Sequence, residues 1–159
     1  RDLVRSRGLG DVYKRQGEAA GAESVECALN FQAKRIGHGI RCIENPLVMQ
    51  ELADRGVVLE LCPTSNLNTK IYETIGDYPI QQLMNKGIRV TVNTDNMMVS
   101  DTTEARELAL VADIFNMEKK DVKQLIMNGV EAAFATEVIK NRLRARVETQ
   151  FAKVAGIRG

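Results

Sequence analysis

From Gly17 onward, short apolar runs alternate with amphipathic stretches, and only short joins separate them. Residues 24–34 have helical spacing, with Val25, Ala28, Leu29 and Gln32 on neighbouring turns. Residues 35–38 form a strand-like step ended by Gly39. Residues 46–55 open with a proline at a first-turn position and stop at Gly56, a helix start and a C-cap signal in sequence. Residues 57–61 are apolar except for Glu60, as in a strand buried on both faces. A further short helix is expected over 79–86, closed by Gly87, and a β-branched strand over 88–93. Alternation of this kind builds a parallel sheet covered by helices, because each connection is long enough for a right-handed crossover and too long for a hairpin.

Beyond residue 100 the pattern turns helical to the end. Asp101 followed by Glu104 resembles a capping arrangement. Three apolar stripes come next: Leu108, Val111, Ala112 and Phe115; then Val122, Leu125, Ile126 and Val130; then Ile139, Leu143, Val147 and Val154. The chain has 159 residues, enough for one domain with its own core. A complete (β/α)8 barrel takes roughly 250 residues. The expectation is therefore an α/β fold amounting to the C-terminal half of a TIM-type (β/α)8 barrel, with parallel strands, covering helices and a helical C-terminus.

Residues 1–16 share neither the rhythm nor the charge of residues 17–159. They hold five basic and two acidic side chains, against seventeen basic and nineteen acidic in the remainder. They are expected to be a foreign or disordered leader, with residues 17–159 forming the partial barrel. A mildly acidic body, 4% aromatics and no tryptophan argue against a nucleic-acid partner. No apolar run approaches the roughly 20 residues of a membrane span, and no signal peptide is visible. Cys27, Cys42 and Cys62 are odd in number and lack C-x-x-C spacing, so reduced thiols in a cytoplasmic protein are expected.

In α/β barrels the active site gathers at the C-terminal ends of the strands. Glu18, His38 and Asp95 fall at such ends, as does the run Cys62-Pro63-Thr64-Ser65-Asn66. Each has a plain structural reading: a solvated carboxylate, a turn histidine between glycines, an Asx-turn or helix cap, a buried thiol at a loop start. Their placement on successive strand ends favours convergence on one mouth.

Residues 17–156 resemble the C-terminal half of adenosine deaminases. The resemblance is carried by Gly17-Glu18-Ala19-Ala20-Gly21, Glu23-Ser24-Val25, Arg35-Ile36-Gly37-His38-Gly39, Cys62-Pro63-Thr64-Ser65-Asn66-Leu67 and Asn93-Thr94-Asp95, in the family's order and approximate spacing. It implies a zinc-dependent hydrolase of purine metabolism that converts adenosine or deoxyadenosine to inosine or deoxyinosine, with a purine nucleoside as substrate. It further implies Asp95 as a Zn2+ ligand, His38 orienting the metal-bound hydroxide and assisting its deprotonation, Glu18 protonating the ring nitrogen, and Asn96 touching the purine ring. Many family members have Asp where Asn96 stands, so that contact is a departure from the commoner pattern. The H-x-E and P-C-x-x-C motifs of cytidine-type zinc deaminases are absent.

The family also draws zinc-binding histidines from its first strand and from three residues before the catalytic glutamate. Here that last position is Arg15, and His38 is the sole histidine. One carboxylate and one imidazole do not close a site needing three protein ligands and a water. Isolated, the chain is expected to be inactive, to need the N-terminal half of the barrel as a partner, and to self-associate through open strand edges. Two alternatives stand beside this reading. One is an adenine deaminase or adenosine deaminase-like hydrolase; the other is a non-catalytic remnant of the fold.

Overall fold

A computed structural model of the chain describes residues 12–14 and 21–154. Four strands form one parallel sheet in the order β1-β2-β3-β4: Val12–Lys14, Ala33–Gly37, Val58–Leu61 and Arg89–Val92. Strands neighbouring in sequence are neighbours in the sheet, with Ile36 beside Leu59 and Leu59 beside Val90. A helix precedes each of the last three: α1 Ala22–Asn30, α2 Pro46–Arg55 and, after the short α3 at Pro63–Asn68, α4 Ile80–Asn85. This is the parallel, helix-covered architecture that the alternation implies. β1 falls within residues 1–16, the stretch set apart on charge and pattern, and its ladder to β2 is irregular between Val12 and Tyr13.

The core lies between the sheet and these helices. Ile36, Leu59 and Val90 on the strands, with Val25, Leu29, Leu52 and Leu83 on the helices, are all essentially inaccessible. Burying each such side chain contributes about 1.5–3 kcal/mol. α2 obeys its sequence signals closely. The Asn45 Oδ1 accepts from the Leu47 N–H, Pro46 opens the helix, and Gly56 ends it at φ 60°.

Some boundaries differ from the sequence reading. α1 stops at Asn30 because Gln32 turns into the left-handed region, at φ 56°. Ala33 and Lys34 then join β2, which extends the strand at the helix's expense. The cap of α6 (Glu104–Ile114) is Thr103, which accepts from Arg106 N–H; Asp101 instead ends the short α5 (Met97–Ser100) at φ 45°. Thr103 has the extended backbone an N-cap needs, and Asp101 does not.

α7 (Lys119–Ala132) and α8 (Glu137–Lys153) complete the chain. Asn93 N–H bonds across to Leu61, so the alternate carbonyl of Val90 faces the far edge of β4. Asn128 on α7 donates its amide to that carbonyl at 2.8 Å, which covers part of the edge. Leu125 and Val130 of the second stripe are buried there. The third stripe, on α8, is not a core face: no α8 residue is buried, and the helix lies on α7 through pairs such as Lys123–Glu148. No helix among the described residues is long and apolar enough to cross a membrane.

Candidate active site

Two of the residues singled out from the sequence come together at the C-terminal ends of the strands. His38 comes just after β2 and Asp95 just after β4. The ladders continue past the strands: His38 N–H bonds to Glu60 C=O at 2.8 Å, and Asn93 N–H, two residues before Asp95, bonds to Leu61 C=O at 2.8 Å. Both residues have left-handed backbone, φ 59° for His38 and φ 55° for Asp95. That conformation costs energy for a residue with a Cβ, and His and Asp are among those that tolerate it best. The turn after His38 also needs Gly39, at φ 69°, where a Cβ would meet Leu59 at 2.8 Å.

The imidazole is buried and its Nε2 lies 3.9 Å from Asp95 Oδ2. Ser65, from the β3 strand end, donates its hydroxyl to the same Oδ2 at 3.0 Å. Three successive strand ends thus meet at one carboxylate. Asp95 Oδ1 takes no hydrogen bond from the described residues. On its other side the ring meets Asn66, whose Nδ2 is 3.2 Å from His38 Nδ1. The Asn66 Oδ1 in turn accepts from the Tyr78 hydroxyl at 2.9 Å. Burial holds the Tyr78 phenol well above its ordinary pKa, so it stays a donor.

The run Cys62-Pro63-Thr64-Ser65-Asn66 is not a loop. From Pro63 it is the helix α3, which is why Ser65 and Asn66 project so definitely. Glu107 on α6 anchors its first turn, accepting from Thr64 N–H at 3.1 Å while only 1% exposed. Neither Asn66 nor Glu107 has a role that the sequence alone assigns. For Glu107 a signal exists: it sits one turn before Val111, on the apolar stripe of α6. Tyr78 carries no comparable signal.

Asn96 caps α5, its Oδ1 accepting from Met98 N–H at 3.1 Å and Val99 N–H at 3.2 Å. Its amide nitrogen donates no hydrogen bond to the described residues. Glu18 lies outside the described residues. Among those described, no three His, Cys, Asp or Glu side chains come together as a metal site. Asp95 and His38 by themselves do not fit a catalytic zinc ion. A cavity of about 790 Å³ is bounded by Arg41, Glu44, Lys70 and Tyr72, and neither His38 nor Asp95 lines it.

Residues 8–150 match the family model described as adenosine deaminase. The chain belongs to the adenosine deaminase family. It is 44% identical over 150 residues to an adenosine deaminase of Haemophilus ducreyi, covering 94% of this chain and 43% of that protein. It is 41% identical over 148 residues to an adenine deaminase of a Chelativorans species, covering 92% of this chain and 45% of that protein. Among solved structures, an adenine deaminase from Arthrobacter aurescens superposes with a TM-score of 0.85 at 26% identity, covering 89% of this chain and 43% of that one. The chain therefore spans less than half the length of these relatives. Its parallel sheet and covering helices are part of the TIM-barrel fold of this deaminase family.

Proposed function

We propose that this chain is the C-terminal part of a zinc-dependent hydrolase that deaminates adenosine or deoxyadenosine, consuming water and releasing ammonia with inosine or deoxyinosine. The observation that carries the reading is the meeting of His38, Ser65 and Asp95 from three strand ends, in a chain of the adenosine deaminase family. Asp95 is the candidate zinc ligand, and the remaining ligands would have to come from outside the described residues. Zinc in such sites makes hydroxide available near neutral pH.

The roles of this chain's own residues rest on their chemistry. His38 orients the attacking oxygen from a buried position that holds the ring still. Glu18 protonates the ring nitrogen as the carbon bearing the amine is attacked. Asn96 keeps its oxygen on the α5 cap, so it offers the purine only its amide N–H, as a donor to a ring nitrogen. Asn in place of Asp cannot share a proton there. A second reading, adenine deaminase, is favoured by the relatives of that name, whose identity is nearly as high.

The test is conversion of adenosine and of adenine, followed by ultraviolet absorbance with added zinc. It is run on this chain alone and on the chain fused to the first half of the Haemophilus ducreyi relative. The expected result is no turnover by the chain alone and adenosine turnover by the fusion. Turnover of adenine but not adenosine would move the assignment to the second reading. A folded, zinc-loaded fusion inactive on both would leave a remnant of the fold.

A further inference from the structure

The polar residues behind His38 are not used by the proposed chemistry, yet they are among the most buried in the molecule. Asn66 is 0% exposed and Tyr78 2%. Asn66 is held from every side. Its N–H bonds to Cys62 C=O within α3, and its own carbonyl accepts from Ile71 N–H at 3.0 Å. These bonds fix the backbone of Asn66, and two further bonds hold its side-chain amide. Its oxygen faces the Tyr78 hydroxyl and its nitrogen faces His38 Nδ1.

An amide NH2 has only protons to offer. The ring nitrogen facing it must then present a lone pair, and a neutral imidazole with a lone pair on Nδ1 carries its proton on Nε2. We infer that Asn66, oriented by Tyr78, is a positioning residue that fixes His38 as the Nε2–H tautomer. The relay runs from the Tyr78 O–H to the Asn66 carbonyl oxygen, and from the Asn66 N–H to His38 Nδ1. A ring held in that form has a proton to donate at Nε2, so it orients the attacking oxygen by donating to it and does not take its proton there, which departs from the role in deprotonation that the family resemblance implies. Its catalytic meaning rests on the deaminase reading; the tautomer itself does not.

His38 is the sole histidine of the chain, so imidazole ring 15N labelling gives one pair of nitrogen signals. Their shifts in mildly alkaline buffer, without substrate or metal, report which nitrogen is protonated. The expected result is a protonated Nε2 in the wild type, reversal to a protonated Nδ1 in Asn66→Asp, whose carboxylate only accepts, and a mixture of the two in Tyr78→Phe. A wild type protonated on Nδ1 would overturn the inference. So would a folded Asn66→Asp that keeps the Nε2 proton. If Asn66→Asp does not fold, the wild type and Tyr78→Phe decide, and a Tyr78→Phe spectrum unchanged from wild type overturns the relay. An inactive fusion with the expected tautomer would count against the deaminase reading alone. An active fusion with the opposite tautomer would count against the relay alone.

Discussion

The rim of the sheet is built on two opposite plans. Behind the β2 and β3 ends, His38, Ser65, Asn66 and Tyr78 are each less than a tenth exposed; His38, Asn66 and Tyr78 are linked by hydrogen bonds, and Ser65 bonds to Asp95. At the β4 end, Asn96 is exposed, and the next residues along α5, Met97, Met98 and Val99, are 57%, 93% and 75% exposed. The buried end gains rigidity from the hydrogen-bond partners it must keep, since an unpaired polar group costs more inside the protein than in water. The open end depends on no such partners, and its four-residue helix rests mainly on one cap. Asp95 stands between them, bonded to Ser65 of the buried end and next in sequence to Asn96 of the open one.

The largest difference between the two ends is expected in alkali. Burial pushes the Cys42 thiol from 9.0 up to about 12, raises the Tyr72 phenol to about 12, and holds the Tyr78 phenol well above its ordinary value. Cys42 and Tyr78 are buried, Tyr72 packs half-buried against Tyr78, and each is neutral when protonated. Unfolding lets them ionise at ordinary values, so between pH 9 and 12 the unfolded chain holds fewer protons than the folded one, and stability falls as pH rises. For Cys42 alone the loss amounts to several kcal/mol once the pH passes 12. Urea midpoints are expected to decline steeply above pH 9, and the decline is expected to be shallower in Cys42→Ala. An identical slope in that variant would show that the buried side is not what fails in alkali.

Next in size is the relay itself. Asn66→Ala removes a donor from His38 Nδ1 and an acceptor from the Tyr78 hydroxyl, both in buried positions. Leaving such groups unsatisfied costs about 1–3 kcal/mol each, so a total loss of about 3 kcal/mol is expected in urea unfolding. A loss below about 0.5 kcal/mol, the level usual for surface changes, would place the buried end on the same footing as the open one.

How far these two ends are legible in sequence also differs. The strands and α2 can be read because their signals are local: an apolar run, a proline at the first turn, a glycine at the end. His38 and Asp95 can be found because strand ends are countable along the chain. Asn66 and Tyr78 cannot, because their importance lies in a contact across twelve residues that meets a ring twenty-eight residues away. Buried Glu107 betrays itself by standing on the apolar stripe of α6, but Asn66 and Tyr78 lie on no such stripe. The end of α1 is hidden for a similar reason, since no residue type announces that Gln32 turns left-handed. Residues 139–154 show the opposite error. Their spacing is that of an apolar stripe, but pairing with one other helix leaves the stripe half-exposed.

The smallest effect is expected at Asn96, the open-end residue proposed to touch the purine. The family's commoner Asp accepts hydrogen bonds at an N-cap as well as Asn does, so Asn96→Asp should change stability by no more than about 0.5 kcal/mol. Asn96→Ala should cost about 1 kcal/mol at most, since the Met98 and Val99 N–H groups would lose their acceptor but are solvent-accessible. In the fusion, Asn96→Asp should act on the substrate instead. An ionised carboxylate offers a purine nitrogen no donor, whereas the wild-type amide offers one. The two forms are therefore expected to differ in KM or kcat for adenosine while their urea midpoints coincide. A substitution that moves stability by several kcal/mol would mean that α5 is part of the buried framework. One that moves neither stability nor kinetics would mean that Asn96 is a helix cap and nothing more, leaving Asp95 as the one residue of this strand end with a proposed role in the reaction.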